Sequence, residues 1–277
     1  MTGHPRAWRR WPGWILLFAW AAAVMVPLYI LIVSCFKSTG EIYADSLGLP
    51  SSWTFDNFVQ AWERGRFSLY LLNSLLVTGG AVVLTILAAA MAAYPLSRYR
   101  LWWGLPLLGF FLAGIMIPVR LGSVELFNLM KSLSLLDSRP GLVLVYAAIR
   151  IPFAVFIFAN FMRAVPQDLE HAARIDGARE WRILFQIILP QIRPAVGVVA
   201  IFTAIAVWND FFFPLIFIFD DDLKTVPLGV TTFIGQYRTD WGLLFAALTI
   251  SMAPFLLLYP FVARRLREGV GAGGGIR

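Results

Sequence analysis

Cysteine and histidine are nearly missing from this 277-residue chain, and charge is scarce. A single cysteine, Cys35, excludes an internal disulfide and any Cys-rich metal centre. Two histidines, His4 and His171, are too few to build a zinc or di-iron centre on imidazoles, so no metal is implied. No Gly-Lys pair occurs, hence no G-x-x-x-x-G-K-[ST] phosphate loop, and the chain cannot hydrolyse ATP by that mechanism. The glycines at Gly269, Gly271 and Gly273 to Gly275 have no strand before them and no helix after them, and read as a flexible tail.

Only 14% of residues are charged and 59% are hydrophobic, against about 25% and roughly 45–50% in a soluble domain. Apolar runs long enough to cross a bilayer, about 20 residues each, recur from end to end. Six stretches qualify: Trp14–Phe36, Leu69–Leu96, Leu101–Val119, Leu142–Phe161, Pro194–Phe219 and Trp241–Val262. The expected fold is therefore all-α, a polytopic bundle of about six membrane helices in lipid. In the third stretch Gly104, Gly109 and Gly114 offer the small-residue spacing that lets helices approach closely in a membrane.

The net charge of +7 would raise the question of nucleic acid in a soluble protein. Here the basic residues flank apolar runs and form no stripe interleaved with aromatics, so nucleic-acid binding is not expected. If the N-terminus is cytoplasmic, the inside segments hold 14 of the 23 Lys and Arg residues, among them Arg6, Arg9, Arg10, Arg98, Arg174, Arg264 and Arg265. Glu41, Asp45, Asp56, Glu63, Asp137, Asp220, Asp221, Asp222 and Asp240 then lie outside, and both termini are cytoplasmic. Residues 1–13 and 264–277 are expected as cytoplasmic tails on a single transmembrane domain whose bundle spans 14–263. The sequence around Ile32-Val33-Ser34-Cys35 could pass for a lipoprotein signal. Its apolar run exceeds the roughly 7–15 residues of a signal core, and five further spans already anchor the chain.

Between the fourth and fifth spans lies a polar stretch, 163–193, far longer than a connector needs. Pro166 suits a first helical position, Gln167–Asp176 reads as a short helix, and Gly177 is placed to end it with a positive φ. Beyond it, Trp181, Leu184, Phe185 and Ile188 share one face of a second, amphipathic helix, with Arg179, Arg182 and Gln186 on other faces.

At this loop Glu170-His171-Ala172-Ala173-Arg174-Ile175-Asp176-Gly177-Ala178, then Ile187-Ile188-Leu189-Pro190 and Arg193-Pro194-Ala195, resembles the cytoplasmic signature of binding-protein-dependent (ABC) import permeases. Trp53-Thr54-Phe55-Asp56-Asn57-Phe58, Asn73-Ser74-Leu75, Leu135-Leu136-Asp137, Trp208-Asn209-Asp210-Phe211 and Phe213-Pro214-Leu215 resemble the maltose-type carbohydrate branch of that family, as does the tail from Arg267 to Gly275. The resemblance implies a second homologous permease, two ATP-binding-cassette subunits holding ATP and Mg, and an extracytoplasmic sugar-binding protein, with no cofactor on this chain. It implies a bacterial inner-membrane location and a loop helix that docks on the ATPase through Glu170, His171, Ala172, Ala173, Asp176, Gly177 and Ala178. The family usually reads Glu-Ala-Ala, and here His171 stands at the Glu position.

Polar residues inside spans are expensive and normally face a cavity or a partner. Arg120, Glu125, Asn128 and Arg150 fall toward the outer half of the bundle, and Trp208, Asn209 and Asp210 interrupt the fifth span four residues before Pro214. Aromatic faces beside hydrogen-bonding groups suit sugars, so these residues are expected along a substrate path. Two other classes compete. A self-sufficient secondary transporter would show internal repeats with paired broken helices, and no convincing repeat is visible. An intramembrane enzyme needs a nucleophile and base at one depth, and both histidines lie in cytoplasmic segments.

Overall fold

The computed structural model describes residues 11–99, 102–235, 239–254 and 256. The expectations for Arg6, Arg9, Arg10, Arg264 and Arg265, and for the tail from Arg267, fall outside these residues. Helix dominates: α1 Trp11–Ser34, α2 Thr39–Ala44, α3 Asp56–Arg64, α4 Phe67–Arg98, α5 Gly104–Met116, α6 Ser123–Ser132, α7 Arg139–Ala164 and α8 Asp168–Ile175. After these come α9 Glu180–Gln191, α10 Arg193–Trp208, α11 Phe212–Phe217 and α12 Trp241–Pro254. An isolated antiparallel bridge joins Ile234 and Thr239.

Among the described residues three helices, α1, α4 and α7, are long and apolar enough to cross a membrane unbroken, with 24, 32 and 26 residues. The third expected span is not one helix. α5 has 13 residues, about 20 Å at 1.5 Å per residue, and turns through 84° into the helical stretch 119–132. The fifth is also interrupted, since α10 ends at Trp208 and α11 starts at Phe212. Pro214 therefore falls inside the first turn of a new helix, where its missing N–H costs nothing, rather than kinking a continuous one. At its other end α10 meets α9 at 84°, with Pro194 in its first turn. Of the sixth span, α12 supplies 14 residues, and Val262 lies outside the described residues.

Contacts divide the described chain into two compact units. The first combines the chain up to Phe67 with Val230–Pro254. In it α1 is exposed along its membrane-length stretch, leaving that apolar surface for lipid or another chain. Asn57 ties the end of α1 to the following segment, donating to the carbonyls of Cys35 at 2.8 Å and Lys37 at 2.9 Å. Gly242 is required at this crossing, because a Cβ would lie 2.6 Å from the Lys37 carbonyl. Phe36, Trp53, Phe55 and Phe58 form an aromatic cluster with centroids 5.1–5.8 Å apart. Beside it Phe55, Phe58, Val59, Trp62, Glu63 and Ile250 line an apolar hollow of about 420 Å³.

The second unit, Ser68–Gly229 among the described residues, holds two apolar cores. One packs Ala89, Ala90 and Ala93 of α4 against Ala154, Val155, Phe158 and Ala159 of α7, with Ile183, Ile188 and Val199 completing it. The small side chains of this alanine run let α4 and α7 approach closely. The other core gathers Val77, Ala81, Leu142, Val145, Tyr146, Phe213 and Phe217. Of the glycines expected to pack α5, Gly114 meets Pro152 of α7 at 3.3 Å, whereas Gly109 faces open space. α7 begins as its sequence dictates: Ser138 caps it, accepting from the Gly141 N–H at 3.2 Å, with Pro140 in the first turn. Asp137 accepts the N–H groups of Phe219 and Asp220, each at 2.9 Å, which holds the end of the broken span onto the start of α7.

Candidate functional site

The long loop is a helix–turn–helix. α8 leaves Gly177 at φ +78°, in the left-handed region glycine enters without penalty. The Ala178 N–H bonds back to the Ala173 carbonyl at 2.9 Å and the Gly177 N–H to the Arg174 carbonyl at 3.0 Å, closing a Schellman-like end. Pro166 sits ahead of the helix, because α8 starts at Asp168 after Gln167. The first helical positions then carry Asp168 and Glu170 against the positive end of the helix dipole.

The second loop helix differs from the α-helical pattern. Ile183–Ile188 is wound as a π-helix, whose i→i+5 bonding widens the turn. Residues five apart then share a face, so Ile183, Leu184 and Ile188 are buried while Trp181 is 59% exposed. The expected stripe had Trp181 in place of Ile183, and a pattern of period 3.6 could not have found the change.

Glu170 points inward. It is 1% exposed, and its Oε1 lies 2.5 Å from Arg98 Nε at the end of α4, a charge contact that is not aligned as a hydrogen bond. Tyr94, one turn earlier on α4, sets its hydroxyl 3.0 Å from Glu170 Oε2 and 2.8 Å from Glu180 Oε2. Arg174 donates from Nε to Glu180 Oε1 at 2.8 Å and reaches Glu170 Oε2 at 3.4 Å. The hydrogen bond from Arg174 holds the Glu180 carboxyl down at about 2 against an ordinary 4.5, and the same bond raises the Arg174 guanidinium. His171, Ala172, Asp176 and Gly177 are exposed, and Ala173 and Ala178 are half-buried on the apolar core. Tyr94 and Arg98 were missed in the sequence; their i, i+4 spacing at the end of a span was the available signal.

A second polar cluster forms at the break after α10. Asp210 accepts from the Tyr146 hydroxyl at 3.0 Å and the Phe213 N–H at 3.0 Å through Oδ2, and lies 3.4 Å from Arg120 Nη2 through Oδ1. It thus caps α11 while holding α7 and the bend after α5. Arg120 also sits over the Phe212 ring, 5.2 Å from its centroid. Arg150, one turn beyond Tyr146, feels the Asp210 charge and keeps its Nε buried with no hydrogen-bond partner among the described residues. Trp208 is buried, and Asn209 turns its amide back to the Ile205 carbonyl at 2.7 Å. Glu125 and Asn128 are exposed. Of the expected path residues, Asp210 and Arg150 come together with Arg120, while Asn209 serves its own helix end.

Residues 81–271, more than half of the chain, match the family described as the binding-protein-dependent transport system inner membrane component. The chain belongs to that family. It is a membrane-embedded permease. It is 38% identical over 260 residues to the diacetylchitobiose uptake system permease NgcG of Streptomyces coelicolor, covering 93% of this chain and 86% of that one. It is 32% identical to the arabinooligosaccharides transport system permease AraQ of Halalkalibacterium halodurans, over 95% and 96% of the two chains. Its fold matches a chain of a bacterial ABC transporter that imports the acidic polysaccharide alginate, with TM-score 0.84, 20% identity, and 95% and 99% coverage.

Proposed function

We propose that this permease is one of two homologous membrane subunits that form a path for an oligosaccharide. The sugar is handed over by an extracytoplasmic binding protein, and ATP with Mg is bound and hydrolysed on separate cytoplasmic subunits. The observation that carries the reading is the long loop. A connector needs only about 2–8 residues between helices, yet this one builds a helix ended by Gly177 at φ +78° and a second, π-wound helix keyed to the core. The exposed side of α8, with His171, Ala172 and Asp176, is the surface offered to an ATPase subunit.

The carbohydrate class is supported by two relatives named for chitobiose and arabino-oligosaccharide uptake. It is also supported by the cluster of Arg120, Tyr146, Arg150 and Asp210 beside Phe212, where donors and ring faces together fit hydroxyls and apolar C–H faces. With both termini cytoplasmic, 163–193 is cytoplasmic too, a placement supported by the distribution of Lys and Arg.

The test is to isolate the assembly from its native membrane through a tag on this chain. Its binding protein is then titrated with diacetylchitobiose, arabino-oligosaccharides and alginate oligosaccharides by calorimetry. Co-isolation of an ATPase and a second permease, with retention of at least one sugar, supports the reading. Active transport by the chain without an ATPase would replace it with a self-sufficient transporter.

A further inference from the structure

Two carboxylates share one phenol at the foot of α4. Tyr94 Oη stands 3.0 Å from Glu170 and 2.8 Å from Glu180, but a phenol has a single proton to donate. It can satisfy one carboxylate at a time, and Arg174, within 3.4 Å of Glu170 and 3.2 Å of Glu180, is placed to serve the other. Arg98 closes the set against Glu170, with side-chain exposures of 3% and 2%. Two carboxylates and two guanidiniums cancel. Arg98 and Glu170 are the buried pair, and removing one leaves the other charged and shielded from water without a partner, whereas Arg174 and Glu180, 33% and 51% exposed at their side chains, form the solvent-facing side of the cluster.

The members come from three elements. Tyr94 and Arg98 belong to the last two turns of α4, Glu170 and Arg174 to α8, and Glu180 to the start of α9. Glu170 lies within the stretch that resembles the family signature, but its carboxylate faces the membrane helix and not the outer side of the loop. Its chemistry is therefore directed to this chain and not to a docked subunit.

We propose that Tyr94, Arg98 and Glu170 are positioning residues that clamp the loop to α4. A displacement imposed on the outer side of α8 is thereby delivered to α4 as the movement of one body. The shared phenol gives the clamp two hydrogen-bond arrangements of equal composition, one on α8 and one on α9, so the two loop helices can change their mutual angle without leaving a carboxylate bare. The proposal rests on the reading of the loop as the ATPase-docking element.

The experiment uses the complete transporter carrying Cys35→Ser, with spin labels on Met91→Cys in α4 and Ala172→Cys on the exposed side of α8. Distances are recorded without nucleotide and after trapping with MgATP and vanadate. With the native clamp, one narrow distance is expected in both states. With Glu170→Gln, that narrow distance is retained without nucleotide and lost on trapping, because the clamp yields only when the loop is driven. A broad distribution in the native clamp on trapping overturns the proposal, as does a narrow one in Glu170→Gln. Breadth in Glu170→Gln already without nucleotide also overturns it, since the residue then merely folds the loop. If Glu170→Gln does not assemble, Tyr94→Phe, which keeps all four charges, is measured in its place with the same decisive outcomes. Cross-linking of Ala172→Cys to an ATPase subunit tests the docking reading by itself, and its absence in the native clamp would sink that reading whatever the distances show.

Discussion

Arg120 Nη2 and Asp210 Oδ1 stand 3.4 Å apart, so the sharp bend after α5 and the break after α10 are joined at one carboxylate. The two interruptions form a single feature, because Asp210 also receives the Tyr146 hydroxyl and the Phe213 N–H.

The contacts of Asp210 are unequal in worth. Arg120 is 69% exposed at its side chain and Asp210 12%, so their attraction is screened and Arg120→Ala is expected to cost about 0–1 kcal/mol. Asp210→Ala leaves a buried phenol and the start of α11 without an acceptor and is expected to cost about 1–3 kcal/mol. Thermal unfolding of the two variants in detergent checks the order, and equal losses would refute it.

Gly177 has nothing within 4 Å of where a Cβ would stand. The cost of Gly177→Val is therefore purely conformational, about 1–2 kcal/mol for the left-handed backbone and more for a branched side chain. Gly177→Asn should cost clearly less. Uptake and membrane abundance measured together test this. Uptake should fall in the valine variant at near-normal abundance and recover in the asparagine variant.

Acid should loosen the loop through Glu180. Its folded carboxyl titrates at about 2 instead of 4.5, chiefly because of the hydrogen bond from Arg174. A lowered folded value means that the contribution is complete above pH 4.5 and is lost as pH falls toward 2. Limited proteolysis between pH 6 and 3 should show cleavage within 163–193 rising below about pH 4.5. Glu180→Gln should be cut equally at both ends of the range.

Much of this was legible in the sequence and some was not. The three unbroken spans and the Gly177 turn follow from apolar length and backbone sterics, which are local properties. The bend at 116–119 was read as part of one span, because a composition criterion cannot separate one long helix from two short ones, whereas the break at 208–212 was signalled by Asn209, Asp210 and Pro214. The π-turn at Ile183–Ile188 changed which residues are buried without changing composition. The resemblance implies Glu170 among the docking residues; its inward turn depends on Arg98, 72 positions earlier, and no local pattern carries that pairing.

Side placement is open to direct labelling. Ser51 is exposed in the segment assigned outside and Arg179 in the segment assigned inside, while the native Cys35 is buried. In intact cells a membrane-impermeant maleimide should mark Ser51→Cys and spare Arg179→Cys, with the reverse after inside-out vesicles are prepared. Labelling of Arg179→Cys alone in intact cells would invert the topology.

Dependence on partner chains is the centre of this reading, and sugar accumulation in proteoliposomes measures it. Liposomes holding the complete assembly, with its binding protein outside and ATP inside, should accumulate the sugar that protein retains and hydrolyse ATP in proportion. Liposomes holding this chain alone should do neither, since it has no phosphate-binding loop. ATP-driven accumulation by the single chain, or accumulation by the assembly with ATP withheld, would contradict it.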